Sequence, residues 1–199
     1  ETEVYAFSGF MTALVVFLIM RWSQKIHDSN HIIYLIFISY IIGLATGLHL
    51  LNLLTIPFIG LIIYFSIGKL STKNLILTFI FSLIIFFGIQ SVIIKGLPQL
   101  TASLGLVGLS FLIILWVIAT IYSIKSNKTF LSIFLSSVLL IVIGYSTYFA
   151  IFIRSGQNPN IDENNPETIS EAISYLNRDQ YGQMTILPRK FDNLPSKVS

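Results

Sequence analysis

The sequence has few charged residues and no cysteine. Of its 199 residues, 11% are charged and 54% are hydrophobic, whereas soluble domains carry roughly 25% charged residues. A soluble protein of this size needs more charge to cover its surface, so the composition indicates a membrane protein. The absence of cysteine excludes disulfides, thiolate metal sites and cysteine nucleophiles. A net charge of +3 is too small to indicate a nucleic-acid partner.

Acidic residues are absent between Asp28 and Asp162. The apolar part of the chain therefore offers no carboxylate for a proton relay or for cation coordination. Pumps and ion-coupled carriers usually place such groups inside the membrane, so this absence disfavours a transporter. The chain opens on Glu1 with no signal-peptide pattern before its first apolar run, and we expect a processed chain or a fragment of a longer protein.

Six apolar runs come close to the roughly 20 residues that a membrane-spanning helix needs. They are Val4–Met20, Ile32–Leu48, Leu50–Ile67, Leu75–Ile94, Ser103–Tyr122 and Phe130–Ile153. The second and third runs are separated by a very short break, which fits either one long kinked element or a tight hairpin. We favour the hairpin because Pro57 lies near the start of the second arm, where a missing N–H costs least.

Basic residues collect on one side of this six-span arrangement. The odd-numbered connections and their flanks hold Arg21, Lys25, Lys69, Lys73, Lys125 and Lys128, whereas the even-numbered ones hold Lys95 alone. Cytoplasmic connections are enriched in Lys and Arg, so the bias places both chain termini on the opposite, outer side. With five spans, the basic residues would be divided between the two sides of the membrane, and the bias would disappear.

The sequence therefore predicts an all-α protein, a polytopic membrane helical bundle of about six transmembrane helices over residues 1–154. Residues 155–199 are predicted to be a short polar tail on the outer side. Within it, Asn165 is placed to cap a helix that has Pro166 at its first position. Apolar residues then recur at the spacing of an amphipathic helix over about 166–179, namely Ile169, Ala172, Ile173 and Leu176.

The segment ETEVY places two carboxylates, Glu1 and Glu3, just outside the first span. In an extended segment, residues two apart share a side, so both could approach one divalent cation or one acceptor. The alternative interpretation is a solvated helix start, where acids favour the positive end of the helix dipole.

The segment GLATGLHLLNLLTIP carries two features. Ser39, Gly43 and Gly47 form a small-residue stripe of the kind that lets membrane helices pack closely. His49 and Asn52 are three residues apart, which places them on one helix face at the outer membrane surface and makes them candidate substrate-binding residues. The alternative is an interfacial histidine and a helix cap.

Two basic residues, Lys95 and Arg154, lie at the same outer level. Either could bind the phosphate of a lipid, since guanidinium and ammonium groups donate several hydrogen bonds to phosphate oxygens. The alternative is that both side chains only snorkel to the membrane surface.

Three segments carry a resemblance to a known family: ETEVYAFSGFMTAL, GLATGLHLLNLLTIPFIGLIIYF and STYFAIFIRSGQNPNIDENNPETISEAISYLNRDQYG. They resemble a family of bacterial membrane proteins, common in Bacteroidota, that is labelled as a domain of unknown function. Its animal relative is transmembrane protein 260, a protein O-mannosyltransferase, and the family is similar to the C-type glycosyltransferases. The resemblance implies a multi-pass protein of the bacterial inner membrane with both termini in the periplasm.

The resemblance also implies a reaction, the transfer of a sugar from a polyprenyl-phosphate donor to a protein or glycan acceptor on the periplasmic side. Such enzymes usually carry the catalytic acid in the first outer loop, in this family within an Asp-Cys-Gly-Glu-like motif. This sequence has no such motif, and we expect that motif upstream of Glu1. Glu1 and Glu3 would then match a second acidic site that assists a metal, such as a divalent cation, or the acceptor. The polar tail would cover the outer face as a lid or acceptor platform.

Two other functions stay open at this point. A non-catalytic membrane scaffold or assembly module would have the same fold and would lack the first-loop acid. A transporter or flippase for a lipid-linked sugar is the third alternative, and the absence of buried carboxylates disfavours it.

Overall fold

The computed structural model of the protein describes residues 2–67, 70–157, 159 and 168–177. All regular secondary structure in these ranges is helical, which confirms the predicted all-α class. The helices are α1 (Thr2–Gln24), α2 (Ile32–Leu48), α3 (Thr55–Ile67), α4 (Thr72–Gly88), α5 (Gly96–Lys125), α6 (Thr129–Tyr145), α7 (Ala150–Ser155) and α8 (Ile169–Asn177). Two 3₁₀ turns, Leu50–Leu54 and Ser146–Phe149, and one π-helical segment, Ile89–Lys95, connect some of them.

Helices α1 and α2 pack against each other in opposite directions. Near the start of α1, the ring of Tyr5 lies 5.5 Å from the ring of His49, which directly follows α2. At the other end of the pair, the ring of Trp22 lies 6.5 Å from the ring of His31, which directly precedes α2. The start of α1 and the end of α2 therefore share one end of the bundle.

Helix α3 runs in the same direction as α1, which settles the choice between a hairpin and a kinked element. The hydroxyl of Thr12 donates to Asn52 just before α3 begins, and the hydroxyl of Ser66 donates to that of Ser23 near the end of both helices. Since α2 runs against α1, α2 and α3 form the predicted hairpin. Pro57 is the third residue of α3, in the first turn, where its missing N–H costs no helical hydrogen bond.

Glycines let α2 and α6 approach until their backbones touch. A Cβ atom on Gly43 would collide with the backbone of Ile141, and one on Gly144 would lie 2.5 Å from the carbonyl oxygen of Tyr40. Further along, Gly47 lies against Tyr148. Ile32 and Ile36 near the start of α2 line one pocket with residues near the start of α6, between Thr129 and Ser136, while Gly47 near the end of α2 lies against Tyr148 just after α6, so the two helices are parallel. The predicted close packing of the small-residue stripe is confirmed at Gly43.

The main core lies where α1, α2, α6 and the turn before α3 meet. Ile19 and Trp22 of α1 are almost completely buried, as are Ala45 of α2 and Leu53 of the turn. Tyr145 at the end of α6 joins the same cluster. The region matched by the first three predicted spans is therefore the most tightly packed part of the bundle.

The chain turns back on itself at Gly105, within α5. This glycine has φ 68° and ψ 174°, a conformation that L side chains rarely adopt and that no helix contains. Val92 and Ala119 line one cavity together with Leu135 and Val142 of α6. In a straight helix Val92 and Ala119 would be about 40 Å apart. The α6 wall of the cavity, from Leu135 to Val142, is only about 10 Å long, so a straight helix could not bring both residues to it. The segment before Gly105 and the segment after it therefore lie on the same cavity.

Successive long segments alternate in direction through the bundle. Gly60 of α3 lies against Ser82 of α4, and the hydroxyl of Tyr64 bonds Ser71 across the intervening turn, so α4 returns along α3. The indole Nε1 of Trp116 donates to the carbonyl of Leu135, which pairs the second part of α5 with α6. One end of the bundle consequently holds the basic residues Arg21, Lys25, Lys73, Lys125 and Lys128, as the charge pattern predicts.

Among the described residues, four helical stretches are long and apolar enough to cross a membrane, judged by length and composition. They are Tyr5–Gln24, Leu50–Ile67, Thr72–Lys125 and Thr129–Ser155, and Ile32–Leu48 is a shorter apolar helix. Thr72–Lys125 contains 54 residues, more than twice the length that one crossing needs, and the reversal at Gly105 divides it. This accounts for the six predicted apolar runs, while the number of crossings stays a prediction.

The tail contains the predicted amphipathic helix, with a different start. Helix α8 begins at Ile169, whereas the sequence interpretation placed its first residue at Pro166. Its first turn is closed by Thr168 and Glu171: the Thr168 N–H donates to the Glu171 carboxylate at 2.8 Å, and the Glu171 N–H donates to the Thr168 hydroxyl at 3.3 Å. This is a capping box, which satisfies two helix-start donors at once. The predicted cap Asn165 lies outside the described residues.

Candidate functional site

A cluster of polar and aromatic side chains lies where α1 begins and α2 ends. We call it the α1–α2 polar cluster, and it consists of Tyr5, Ser8, Thr12, His49 and Asn52. It forms because the chain leaves α2 at His49, whose backbone is extended with φ −155° and ψ 125°. The 3₁₀ turn that follows then brings Asn52 back against α1.

Asn52 is the centre of the hydrogen bonding in this cluster. Its side chain is only 3% exposed. Its Nδ2 donates to the carbonyl oxygens of Ala45 at 2.9 Å and His49 at 3.0 Å. Its Oδ1 accepts from the hydroxyls of Ser8 at 3.1 Å and Thr12 at 2.7 Å. These four bonds use the whole hydrogen-bonding capacity of a primary amide, so Asn52 ties α1, α2 and the turn together.

His49 is half-buried, and its ring is held from two directions. Its Nδ1 accepts a hydrogen bond from the backbone N–H of Leu51 at 3.2 Å, and its ring packs against that of Tyr5. A ring nitrogen that accepts a hydrogen bond carries no proton, so neutral His49 carries its proton on Nε2. The ring therefore presents a single fixed N–H donor on the edge away from the turn.

The predicted helix face shared by His49 and Asn52 is wrong. His49 lies outside α2, and the two residues meet through the backbone, because the carbonyl of His49 accepts from both the N–H of Asn52 at 3.1 Å and its Nδ2. The predicted substrate-binding role of Asn52 also conflicts with its burial and its fully used amide. The same geometry leaves the ring of His49 as the candidate binding group.

Of the two interpretations of the acidic segment, the extended one does not hold at Glu3, because α1 begins at Thr2. A helix turns about 100° per residue, so residues two apart do not share a side. An acid in the first turn of a helix agrees with the alternative interpretation, stabilisation by the helix dipole. Glu1 lies outside the described residues.

Lys95 and Arg154 are exposed cations at the ends of helical segments. Lys95 ends the π-helical segment and Arg154 lies in the last turn of α7. The position of Arg154 suits a positive charge because a helix C-terminus carries partial negative charge. At Lys95, by contrast, the helical backbone continues directly into α5. Within the described part of the chain, no hydrogen bond or ion pair joins either of them to His49, so their proposed common site is not assembled by direct contacts.

Three members of the cluster were not singled out from the sequence: Tyr5, Ser8 and Thr12. A signal for two of them was present, since Ser8 and Thr12 are four residues apart in an apolar helix and therefore lie on one face. Polar residues repeated on one face of a membrane helix indicate a hydrogen-bonded partner on the next helix. For Tyr5 we find no signal in the sequence.

The largest cavity described here has a different chemical character. It has a volume of about 580 Å³ and lies among the π-helical segment, both parts of α5 and α6. Every lining residue is Val, Ile, Leu, Ala or Trp. In the described ranges, no group of three or more His, Asp or Glu residues could hold a metal ion. The described residues therefore offer no such ligand group for the divalent cation, and the cation stays a prediction.

Comparison with known proteins gives one match, to a family model described as the N-terminal domain of protein O-mannosyl-transferase TMEM260. It covers residues 1–74, which contain α1, α2 and α3 and therefore the whole α1–α2 polar cluster. No curated protein and no solved structure matches the chain. The match supports a relation between this part of the chain and a glycosyltransferase-like membrane domain.

Proposed function

We propose that the chain is the membrane portion of a glycosyltransferase that moves a sugar from a polyprenyl-phosphate donor to a protein or glycan acceptor. The observation that carries the proposal is that the family match and the α1–α2 polar cluster coincide in residues 1–74. In this reading, the donor binds at the end of the bundle opposite the basic residues, on the periplasmic face of the bacterial inner membrane.

His49 is the residue that we propose to contact the donor. Its fixed Nε2–H is a hydrogen-bond donor, and such donors stabilise the negative charge that develops on a departing lipid phosphate. Arg154 and Lys95 would add positive charge near the same end of the bundle. Glu3, in the first turn of α1, and Glu1 stay candidates for the acidic site that assists the acceptor or a metal.

The tail is proposed to cover the outer face of the membrane domain. Helix α8 packs against the π-helical segment and α5, and Lys95 is the last residue of the π-helical segment before α5 begins. This packing supports a tail that lies close to Lys95. Its half-buried residues Ile173 and Tyr175 are consistent with this contact. A lid or an acceptor platform at this position would lie next to a phosphate held by Lys95.

Transfer activity is tested on the natural protein in membranes. Radiolabelled polyprenyl-phosphate mannose and other polyprenyl-phosphate hexoses are supplied with envelope proteins as acceptors, and incorporated label is counted. His49→Phe, which keeps a ring against Tyr5 but has no N–H donor, is compared with His27→Phe at an exposed histidine beyond the opposite end of α1. Losing one hydrogen bond to a charged group costs roughly 1.5–3 kcal/mol, so we expect His49→Phe to lower transfer at least about tenfold. His27→Phe should leave it unchanged.

Failure of this experiment has a defined meaning. If the folded protein transfers no sugar from any of these donors, the enzyme proposal is wrong and the scaffold alternative is favoured. Transfer that is equally fast in His49→Phe and in the natural protein would keep the enzyme and remove His49 from its site.

The side of the membrane is tested separately. Because the chain has no cysteine, single cysteines at Lys25, Ser71 and Gln157 can be labelled one at a time with a membrane-impermeant maleimide in intact cells. We expect labelling at Gln157 only. Labelling at Lys25 or Ser71 would reverse the proposed orientation and place His49 in the cytoplasm.

A further inference from the structure

We propose that the apolar cavity among the π-helical segment, α5 and α6 is a binding site for one acyl chain of a bilayer phospholipid. The site does not depend on the proposed enzymatic activity. Its walls come from three places: the first arm, which is the π-helical segment with α5 up to Gly105 (Val92, Ile93, Leu97 and Leu100), the second arm, which is α5 after Gly105, and α6. The reversal at Gly105 separates the two arms and leaves the space between them and α6 unfilled.

The chemistry of the walls restricts the ligand to hydrocarbon. Trp116 supplies the only side-chain nitrogen or oxygen on the lining, and its Nε1 already donates to the carbonyl of Leu135 at 3.1 Å. A sugar or a phosphate in this cavity would therefore find no side-chain partner, and burying an unpaired polar group is costly. A head group must stay outside, and only a chain can enter.

The size of the cavity selects among hydrocarbon ligands. One CH₂ group occupies about as much space as one molecule of liquid water, roughly 30 Å³. A cavity of about 580 Å³ therefore holds on the order of 20 such groups. This is the length of one phospholipid acyl chain. A polyprenyl carrier chain is several times longer and is branched, so this cavity would accommodate only a part of it. The cavity is half-open and is formed by apolar membrane-spanning candidates, so the surrounding bilayer supplies acyl chains directly.

An unfilled cavity of this kind is unfavourable, because its lining atoms lack packing partners. An acyl chain in it would pack both arms of α5 against α6. The lipid would therefore act as a packing element of the bundle.

The proposal is tested by native mass spectrometry of the natural protein, purified from membranes and exchanged into lipid-free detergent. We expect a single phospholipid to stay bound. Val138→Trp, which fills the cavity from α6, should lose this lipid, whereas Val107→Trp, which lies on the surface and is 85% exposed, should retain it. Ala119→Trp fills the cavity from the opposite wall and serves if Val138→Trp does not fold.

A second measurement locates the lipid without any substitution. Phosphatidylethanolamine with a diazirine in its acyl chain is crosslinked to the natural protein, and the modified peptides are identified. Crosslinks to residues of the cavity walls, formed by lipid that stays bound after detergent exchange, support the proposal. The proposal is wrong if the retained lipid is a polyprenyl phosphate, or if Val138→Trp and Ala119→Trp both retain the lipid. It is also wrong if crosslinks form only on the outer surface of the protein.

Discussion

Replacing Asn52 with Ala removes the centre of the α1–α2 polar cluster, and its cost can be worked out from the structure. Four hydrogen bonds end on this side chain, which is 3% exposed. Side-chain hydrogen bonds between membrane helices contribute about 0.6 kcal/mol on average and about 1.7 kcal/mol at most. We therefore expect Asn52→Ala to lower the free energy of unfolding by about 2–4 kcal/mol, which includes the small cavity that it leaves.

The neighbouring residues allow this total to be divided. Thr12→Val and Ser8→Ala each remove one of the four bonds, and Thr12→Val removes the shorter one, at 2.7 Å. Each should cost less than about 2 kcal/mol, with the larger loss in Thr12→Val. Because Thr12 and Asn52 share one hydrogen bond, which either substitution removes, the Thr12→Val and Asn52→Ala effects should be less than additive in a double-mutant cycle.

The assay is reversible unfolding in mixed micelles, with tryptophan fluorescence as the signal. Asn74→Ala is the matched control, since Asn74 lies in α4 and is exposed. A change below about 0.5 kcal/mol is expected there. If Asn52→Ala destabilises the protein no more than Asn74→Ala does, the hydrogen-bond network described here does not hold the three segments together.

Three more substitutions test other parts of the fold. Gly144→Leu should unfold the bundle or abolish its expression because it separates the touching backbones of α2 and α6, whereas Gly9→Leu, which has open space around it, should be tolerated in detergent. Gly105→Ala should cost about 1 kcal/mol or more because it forces an L residue to φ 68°, whereas helical Gly88→Ala should be neutral or stabilising when unfolding is measured. Thr168→Ala should lower hydrogen-exchange protection in α8, since it removes a capping box worth about 1 kcal/mol, and unchanged protection would rule out that box.

The helices of this protein could be predicted from the sequence because apolar runs in a membrane protein have few alternative conformations. The hairpin after α2 was also predictable, since the first turn of a helix is the helical position at which Pro57 costs least. The stripe containing Gly43 and Gly47 predicted close packing. It could not identify α6 as the partner, because the contact depends on Gly144, which lies about a hundred residues further along the chain.

The sequence predicts a break at His49, between the second and third apolar runs, but it does not predict the interaction that makes the break, because local preferences there favour a continued helix. The residues around it, LATGLHLLNLL, contain no proline, and leucine is a strong helix former. What ends α2 is a tertiary interaction: the amide of Asn52 bonds the carbonyls of Ala45 and His49 and is itself held by Ser8 and Thr12 of α1. A helix-face argument failed at this position because it assumed the regular geometry that these bonds interrupt.

This dependence decides how activity measurements on the cluster should be interpreted. The ring of His49 is oriented by Leu51, while its carbonyl is held by Asn52, so a change at Asn52 moves the candidate binding group without removing it. Asn52→Asp keeps the size of the side chain but replaces the donor to Ala45 and His49 with an oxygen, which repels both carbonyls. It should therefore lower stability and transfer together. His49→Phe should lower transfer with little loss of stability, because it keeps the ring against Tyr5 and loses only one exposed hydrogen bond of the fold. Equal stability losses in the two variants would make His49 a structural residue like Asn52, and the donor contact would have to be sought at Arg154 or Lys95.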